Sequence, residues 1–151
     1  MTDLKTTLAV RKAIDRQIDH LIRAAAQNVA RLAGSDMEEN QIRNVLNVAS
    51  TTESMEAVTN FIRYQIGRDT RGNTWGSNGF GKAVIADIET GAVKQALDAV
   101  KAEVPAADTG HVRAQLTELY LGYLNRCFVY AKKSGDWQNL SGRIAGQGGG
   151  T

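Results

Sequence analysis

The sequence is poor in the features that mark many familiar protein classes. It has one cysteine and one proline in 151 residues. A single cysteine excludes an intramolecular disulfide framework. A single proline leaves long stretches free to form uninterrupted helix. No run of eighteen apolar residues offers a membrane span. The start, with Thr2, Asp3 and Lys5, lacks the basic patch and apolar core of a secretory leader, so the expected location is the cytoplasm. Aromatic residues are scarce at 6%, and net charge is only +2, from 18 basic and 16 acidic residues. That balance excludes a basic tail that soaks up nucleic acid indiscriminately.

The charge is nevertheless distributed in blocks. Residues 1–34 carry six basic and three acidic side chains, 35–59 one and five, 60–82 four and one, 83–118 three and six, and 119–151 four and one. Alternation of this kind suits either ordinary solvated helix faces or a molecule with one basic and one acidic face.

Apolar periodicity is helical throughout. Leu4, Leu8, Ile14, Ile18, Leu21, Ala25, Val29 and Leu32 trace one amphipathic stripe that ends near Gly34. Ser35 or Asp36 is placed to cap a second helix bearing Ile42, Val45, Leu46 and Ala49. A third follows Ser50-Thr51-Thr52 with Met55, Val58, Ile62 and Ile66. Residues 69–81 hold four glycines and two asparagines and read as a loop. Beyond it, Val84, Ile85 and Ile88 and then Val93, Leu97 and Val100 resume the period, with Thr90-Gly91 placed to bend or split the helix. Pro105 ends that run, and Asp108 or Thr109 caps a long last helix reaching Ser134-Gly135. No alternation framed by hairpin turns suggests a strand. The expected architecture is an all-α antiparallel bundle of five or six helices, forming one domain over residues 1–138 and followed by a glycine-rich flexible tail over 139–151.

Catalytic signatures are weak. Gly76 to Lys82 fits a phosphate-cradling G-x-x-x-x-G-K pattern, but Ala83 replaces the hydroxyl that would hold Mg²⁺, and no strand precedes it. His20 and His111 have no Cys, Asp or Glu at the i+3 or i+4 spacing of a helical metal site, so no metal or other cofactor is expected. Cys127, among Tyr123, Leu124 and Phe128, reads as a core residue and not a nucleophile. The chain is expected not to be an enzyme.

Basic residues interleaved with aromatics stand out instead: Arg43, Arg63-Tyr64, Arg68, Arg71, Trp75, Phe80, Lys82, Arg126, Tyr130 and Lys132-Lys133. Cations of this kind serve phosphate contact, and exposed aromatics stack on unpaired bases. For Tyr64, Tyr123, Phe128 and Tyr130 core packing is the leading reading. Arg68, Arg71 and Lys82 flank the loop, where a role in binding is favoured.

Three stretches carry a resemblance. They are Asn40-Gln41-Ile42-Arg43-Asn44-Val45-Leu46, Phe61-Ile62-Arg63-Tyr64-Gln65-Ile66-Gly67-Arg68, and the segment from Tyr123 to Gly135 with its Tyr130-Ala131-Lys132-Lys133. In order and spacing they resemble the small subunit of type III CRISPR effector complexes of the Csm kind. The chain departs from that pattern in its long N-terminal helix, its elaborate Gly-Asn-Trp loop and the lack of a His before the final lysines. The resemblance implies a non-catalytic subunit in antiviral defence. Several copies would stack beside guide RNA and target RNA among other subunits of the complex. It also implies RNA contacts at Arg43, Arg63, Arg68, Lys132 and Lys133. Arg71 and Lys82 join the candidate RNA-binding set from the charge pattern alone. The rival readings are a helical adaptor without a nucleic-acid role and a nucleotide-binding enzyme using the Gly76–Lys82 loop.

Overall fold

A computed structural model of the chain describes residues 3–140. Among them no strand occurs, and seven α-helices follow one another, with short 3-10 turns at Ala30–Leu32 and Ser77–Gly79: α1 (Leu4–Asp15), α2 (Ile18–Val29), α3 (Glu39–Ser50), α4 (Met55–Arg68), α5 (Phe80–Glu89), α6 (Ala92–Glu103) and α7 (Thr109–Ser134). The protein is an all-α bundle. The expected first helix is interrupted at Arg16-Gln17 into α1 and α2, where the Gln17 amide turns back to the Ile14 carbonyl at 2.8 Å. Thr90-Gly91 separates α5 from α6.

Helix ends follow local chemistry. The carboxylates of Asp3 and Asp108 and the hydroxyl of Ser54 accept the amides of Thr6, His111 and Ala57, capping α1, α7 and α4. Gly34 and Gly135, both at φ 77°, take the left-handed turn that ends a helix. One expectation is corrected. Neither Ser35 nor Asp36 caps α3, because Glu38 does so through a reciprocal capping box with Gln41. Asp36 instead reaches across to Asn73.

The 26-residue α7 is the axis of the bundle, packing against α2, α3, α4 and α6. Its buried stripe of Val112, Leu116, Tyr120, Leu124, Phe128 and Ala131 meets Leu21, Ala25 and Val29 of α2 and Ile42, Val45 and Ala49 of α3 in one continuous core. Burying side chains of this size contributes about 1.5–3 kcal/mol each. Cys127 is buried there, and burial pushes its thiol above the ordinary value, as expected of a packing residue. Beyond Gly135 the chain folds back. Trp137 meets Phe128 edge-on at 6.0 Å between ring centroids, and Leu140 packs on the core. Residues 141–151, most of the expected flexible tail, lie outside the described residues. No helix among the described residues is long and apolar enough to cross a membrane.

A partly buried polar cluster locks α2, α5 and α7 together. The Asp87 carboxylate accepts from the Tyr120 hydroxyl and the Asn28 carboxamide, both at 2.6 Å, and Arg31 donates to Asn28 at 3.1 Å and to the Asn78 carbonyl at 2.9 Å. Burial raises the Asp87 carboxyl above its ordinary value despite these donors. It also pushes the Tyr120 hydroxyl well up, with the Asp87 charge adding to the shift.

Candidate nucleic-acid interface

The seven candidate RNA-binding side chains divide by what they already touch. Arg43 pairs with Glu39 one turn earlier on α3, and Arg63 pairs with Glu89 of α5 at 3.1 Å. Both pairs are exposed and contribute little to stability. Lys132, in the last turn of α7, donates to the Met37 carbonyl at 2.8 Å and lies 3.9 Å from Glu38. It therefore works as a strut between α7 and the start of α3. Arg68, Arg71, Lys82 and Lys133 are exposed and pair with no carboxylate among the described residues.

Two of those four meet. Arg68, at the end of α4, and Arg71, in the following loop, line one open cleft of about 390 Å³. Its other wall is α3, where Asn40 and Asn44 stand one turn apart on the same face. The Arg68 guanidinium lies 5.5 Å from the ring centre of Tyr64, which is 57% exposed. This is a cation–π contact that leaves the edge of the charge in solvent. Thus the first two stretches of the resemblance form opposite sides of one cleft, and the third braces the start of α3 through Lys132.

The loop that closes the cleft is held by Asp69. Its carboxylate accepts the amides of Gly76 at 2.8 Å, Thr74 at 2.9 Å and Asn73 at 3.3 Å. Burial alone would raise the Asp69 carboxyl, but the three amides outweigh it and hold it below its ordinary value. Asp69 is thereby spent on loop shape.

The same loop decides the place of two sequence features. Trp75 is 1% exposed and packs on the fully buried Phe80 at 5.3 Å between centroids, so neither ring is a surface platform. Four amides of the glycine-rich turn are taken up within the loop. The amides of Ser77, Gly79 and Gly81 donate to the carbonyls of Thr74, Gly76 and Trp75, and that of Gly76 to Asp69. The conformation comes from Asn78 and Gly79, at φ 50° and 71°, and from Gly81, where a Cβ would lie 2.6 Å from Ile66 Cγ1. Lys82 is exposed on α5, outside the cleft.

Among the aromatics, Phe128 is buried and Tyr123 half-buried under Arg126, as core packing predicts, whereas Tyr64 and Tyr130 are exposed. Tyr130 donates to Asp136 at 3.2 Å. His20 meets Gln95 at 2.9 Å and His111 meets Glu53 at 2.7 Å. Among the described residues no three His, Cys, Asp or Glu side chains gather.

The sequence reading missed the carboxamides Asn40, Asn44 and Gln65 that line the cleft beside the arginines. The available signal was the spacing of Asn40 and Asn44, which share a polar helix face with no apolar partner. No protein-family model matches the chain, no curated protein matches it, and no solved structure matches it.

Proposed function

We propose that this protein is a non-catalytic RNA-binding subunit of a larger ribonucleoprotein, in the manner of the type III CRISPR small subunit that its sequence resembles. In this reading it acts in the cytoplasm in antiviral defence. Copies of it line guide RNA and target RNA, next to other subunits of the complex, and any cleavage belongs to those neighbours.

One observation carries the proposal. Arg68 and Arg71 converge on one open polar cleft with no carboxylate partner among the described residues, and Arg68 lies over an exposed tyrosine. Two uncompensated guanidinium groups beside an exposed ring suit a phosphate chain carrying unpaired bases. The acidic stretch 83–118 remains for contacts between protein subunits. Sequence would be read by guide–target pairing, so most contacts of this chain would go to phosphate and ribose.

The test is to purify a tagged copy from its native cells at gentle salt and sequence the RNA that accompanies it. Short RNAs of uniform length matching a CRISPR array, together with larger partner proteins, are expected. Protein partners without any RNA would favour the helical adaptor, whose observation is the exposed Leu4 and Leu8 of α1, 85% and 48% accessible.

A further inference from the structure

The cleft between α3 and the Arg68–Arg71 corner holds more than a backbone contact requires. Phosphate binding needs only positive charge, yet three carboxamides face this space. Asn40 and Asn44 come from α3 and Gln65 from α4, one turn before Arg68. Two further amide side chains line it and are already engaged. Gln41 accepts the Glu38 amide at 2.8 Å, and Asn73 donates to Asp36. The side chains of the other three have no hydrogen-bond partner among the described residues.

Each open carboxamide offers one acceptor and two donor hydrogens. That combination matches the mixed donor and acceptor edge of a nucleobase. A second, independent feature lies in the wall. Trp75 lines the cleft and is 1% exposed, and its indole N–H finds no acceptor among the described residues. An unanswered buried donor costs about 1–3 kcal/mol.

Size selects the ligand further. A space of about 390 Å³ lies at the small end of small-molecule sites. A duplex would not offer a single base to such a cleft, because the major groove of an A-form helix is deep and narrow and its shallow minor groove is met mostly by shape, through 2′-hydroxyls and phosphates. Resting on the RNA-binding reading above, we infer that this cleft takes one unpaired nucleotide of a bound RNA strand. Asn40, Asn44 and Gln65 meet its base edge, and Arg68 and Arg71 hold the adjoining phosphates. Asp69, inside the same cleft, is no obstacle, because its carboxylate is turned to three loop amides.

The chain has two tryptophans, so Trp137→Phe leaves Trp75 as the single tryptophan reporter, excited selectively over the four tyrosines. That variant is titrated at low salt with hexamers of adenylate, cytidylate and uridylate and with the matching free mononucleotides. Trp75 emission should shift on saturation, and one hexamer should bind about tenfold more tightly than the weakest. Adding Asn44→Ala, an exposed helical position, should erase that preference and leave the salt dependence intact. Adding Arg71→Ala should weaken all hexamers evenly and lower the salt slope by about one.

Salt-dependent binding with silent Trp75 emission and a preference unchanged by Asn44→Ala would overturn the cleft assignment while leaving the RNA-binding reading in place. Mononucleotides binding as tightly as hexamers would make this a free-nucleotide site and overturn the strand assignment. No binding of RNA by the chain, or by the assembly purified from its own cells, would remove the RNA-binding reading itself.

Discussion

Asp36 and Asn73 clasp each other twice. The Asp36 amide donates to the Asn73 carbonyl at 2.8 Å, and the Asn73 carboxamide donates to the Asp36 carboxylate. The clasp joins the segment before α3 to the loop after α4, so it sets the distance between the two walls of the cleft. Asp36→Ala should remove the side-chain half at a cost of about 1 kcal/mol. Hydrogen exchange at the Thr74 and Gly76 amides should quicken. Exchange unchanged from the parent protein would mean that Asp69 and the backbone half of the clasp hold the loop without the Asp36 carboxylate.

Stability should respond to pH through two carboxylates of opposite sign. Asp69 titrates below the ordinary value of about 4, so its contribution is complete above that value and is lost as pH falls through its folded-state pKa. Asp87 titrates above it. Its contribution is therefore present below about 4 and is lost as pH rises through its raised folded-state pKa. Melting curves from pH 3 to 8 should show Asp69→Asn less stable at neutral pH with a shallower acid decline. Asp3, Glu103 and Asp136, whose pKa values are also lowered, keep part of that decline. Asp87→Asn should remove the loss that accompanies rising pH. A steeper loss in that variant would contradict the assignment.

Gly81 lies where α5 crosses α4. An alanine Cβ would meet Ile66 Cγ1 at 2.6 Å and the Trp75 carbonyl oxygen at 2.9 Å. Although alanine favours helix, overpacking should dominate, and Gly81→Ala should lose about 1–3 kcal/mol in urea denaturation. Adding Ile66→Ala should not restore the parent midpoint, since the clash with the backbone oxygen remains and a buried contact is lost. A more stable Gly81→Ala would show that α5 shifts freely on α4.

Lys132 and Arg71 should separate structure from binding. Lys132→Gln removes the bond to the Met37 carbonyl and should cost about 1 kcal/mol. Arg71→Ala should leave the urea midpoint within about 0.5 kcal/mol of the parent. Its RNA complex should lose salt sensitivity by about one phosphate contact. Equal loss of stability in the two variants would remove Arg71 from the list of free cations.

Element order could be read from the chain because the apolar stripes and caps are local. Val112, Leu116, Tyr120 and Cys127 repeat at helical spacing, Asp108 precedes them, and Gly135 follows. What could not be read depended on contacts between distant segments. Trp75 and Phe80 sit in a glycine-rich stretch that looks exposed, and they are buried because Asp69 and Asp36 fold that stretch onto α4 and α5. Asn28 carried a faint signal, a polar residue seven positions after Leu21 on the buried stripe of α2. Its partners Asp87 and Tyr120, 59 and 92 positions away, were beyond any periodicity. Among the candidate cations, Arg43, Arg63 and Lys132 could not be told from Arg68 and Arg71 without seeing which carboxylates and carbonyls reach them.

The central position of α7 also bears on how the protein is made. Synthesis runs from the N-terminus, and the helix against which α2, α3, α4 and α6 pack is the last of the seven to leave the ribosome. Until Thr109–Ser134 has emerged, the apolar faces of α2 and α3 lack their main partner, and the nascent chain carries an unfinished core. A ribosome stalled before residue 109 would therefore hold a chain that is sensitive to protease and attractive to chaperones, and emergence of α7 would supply the missing partner.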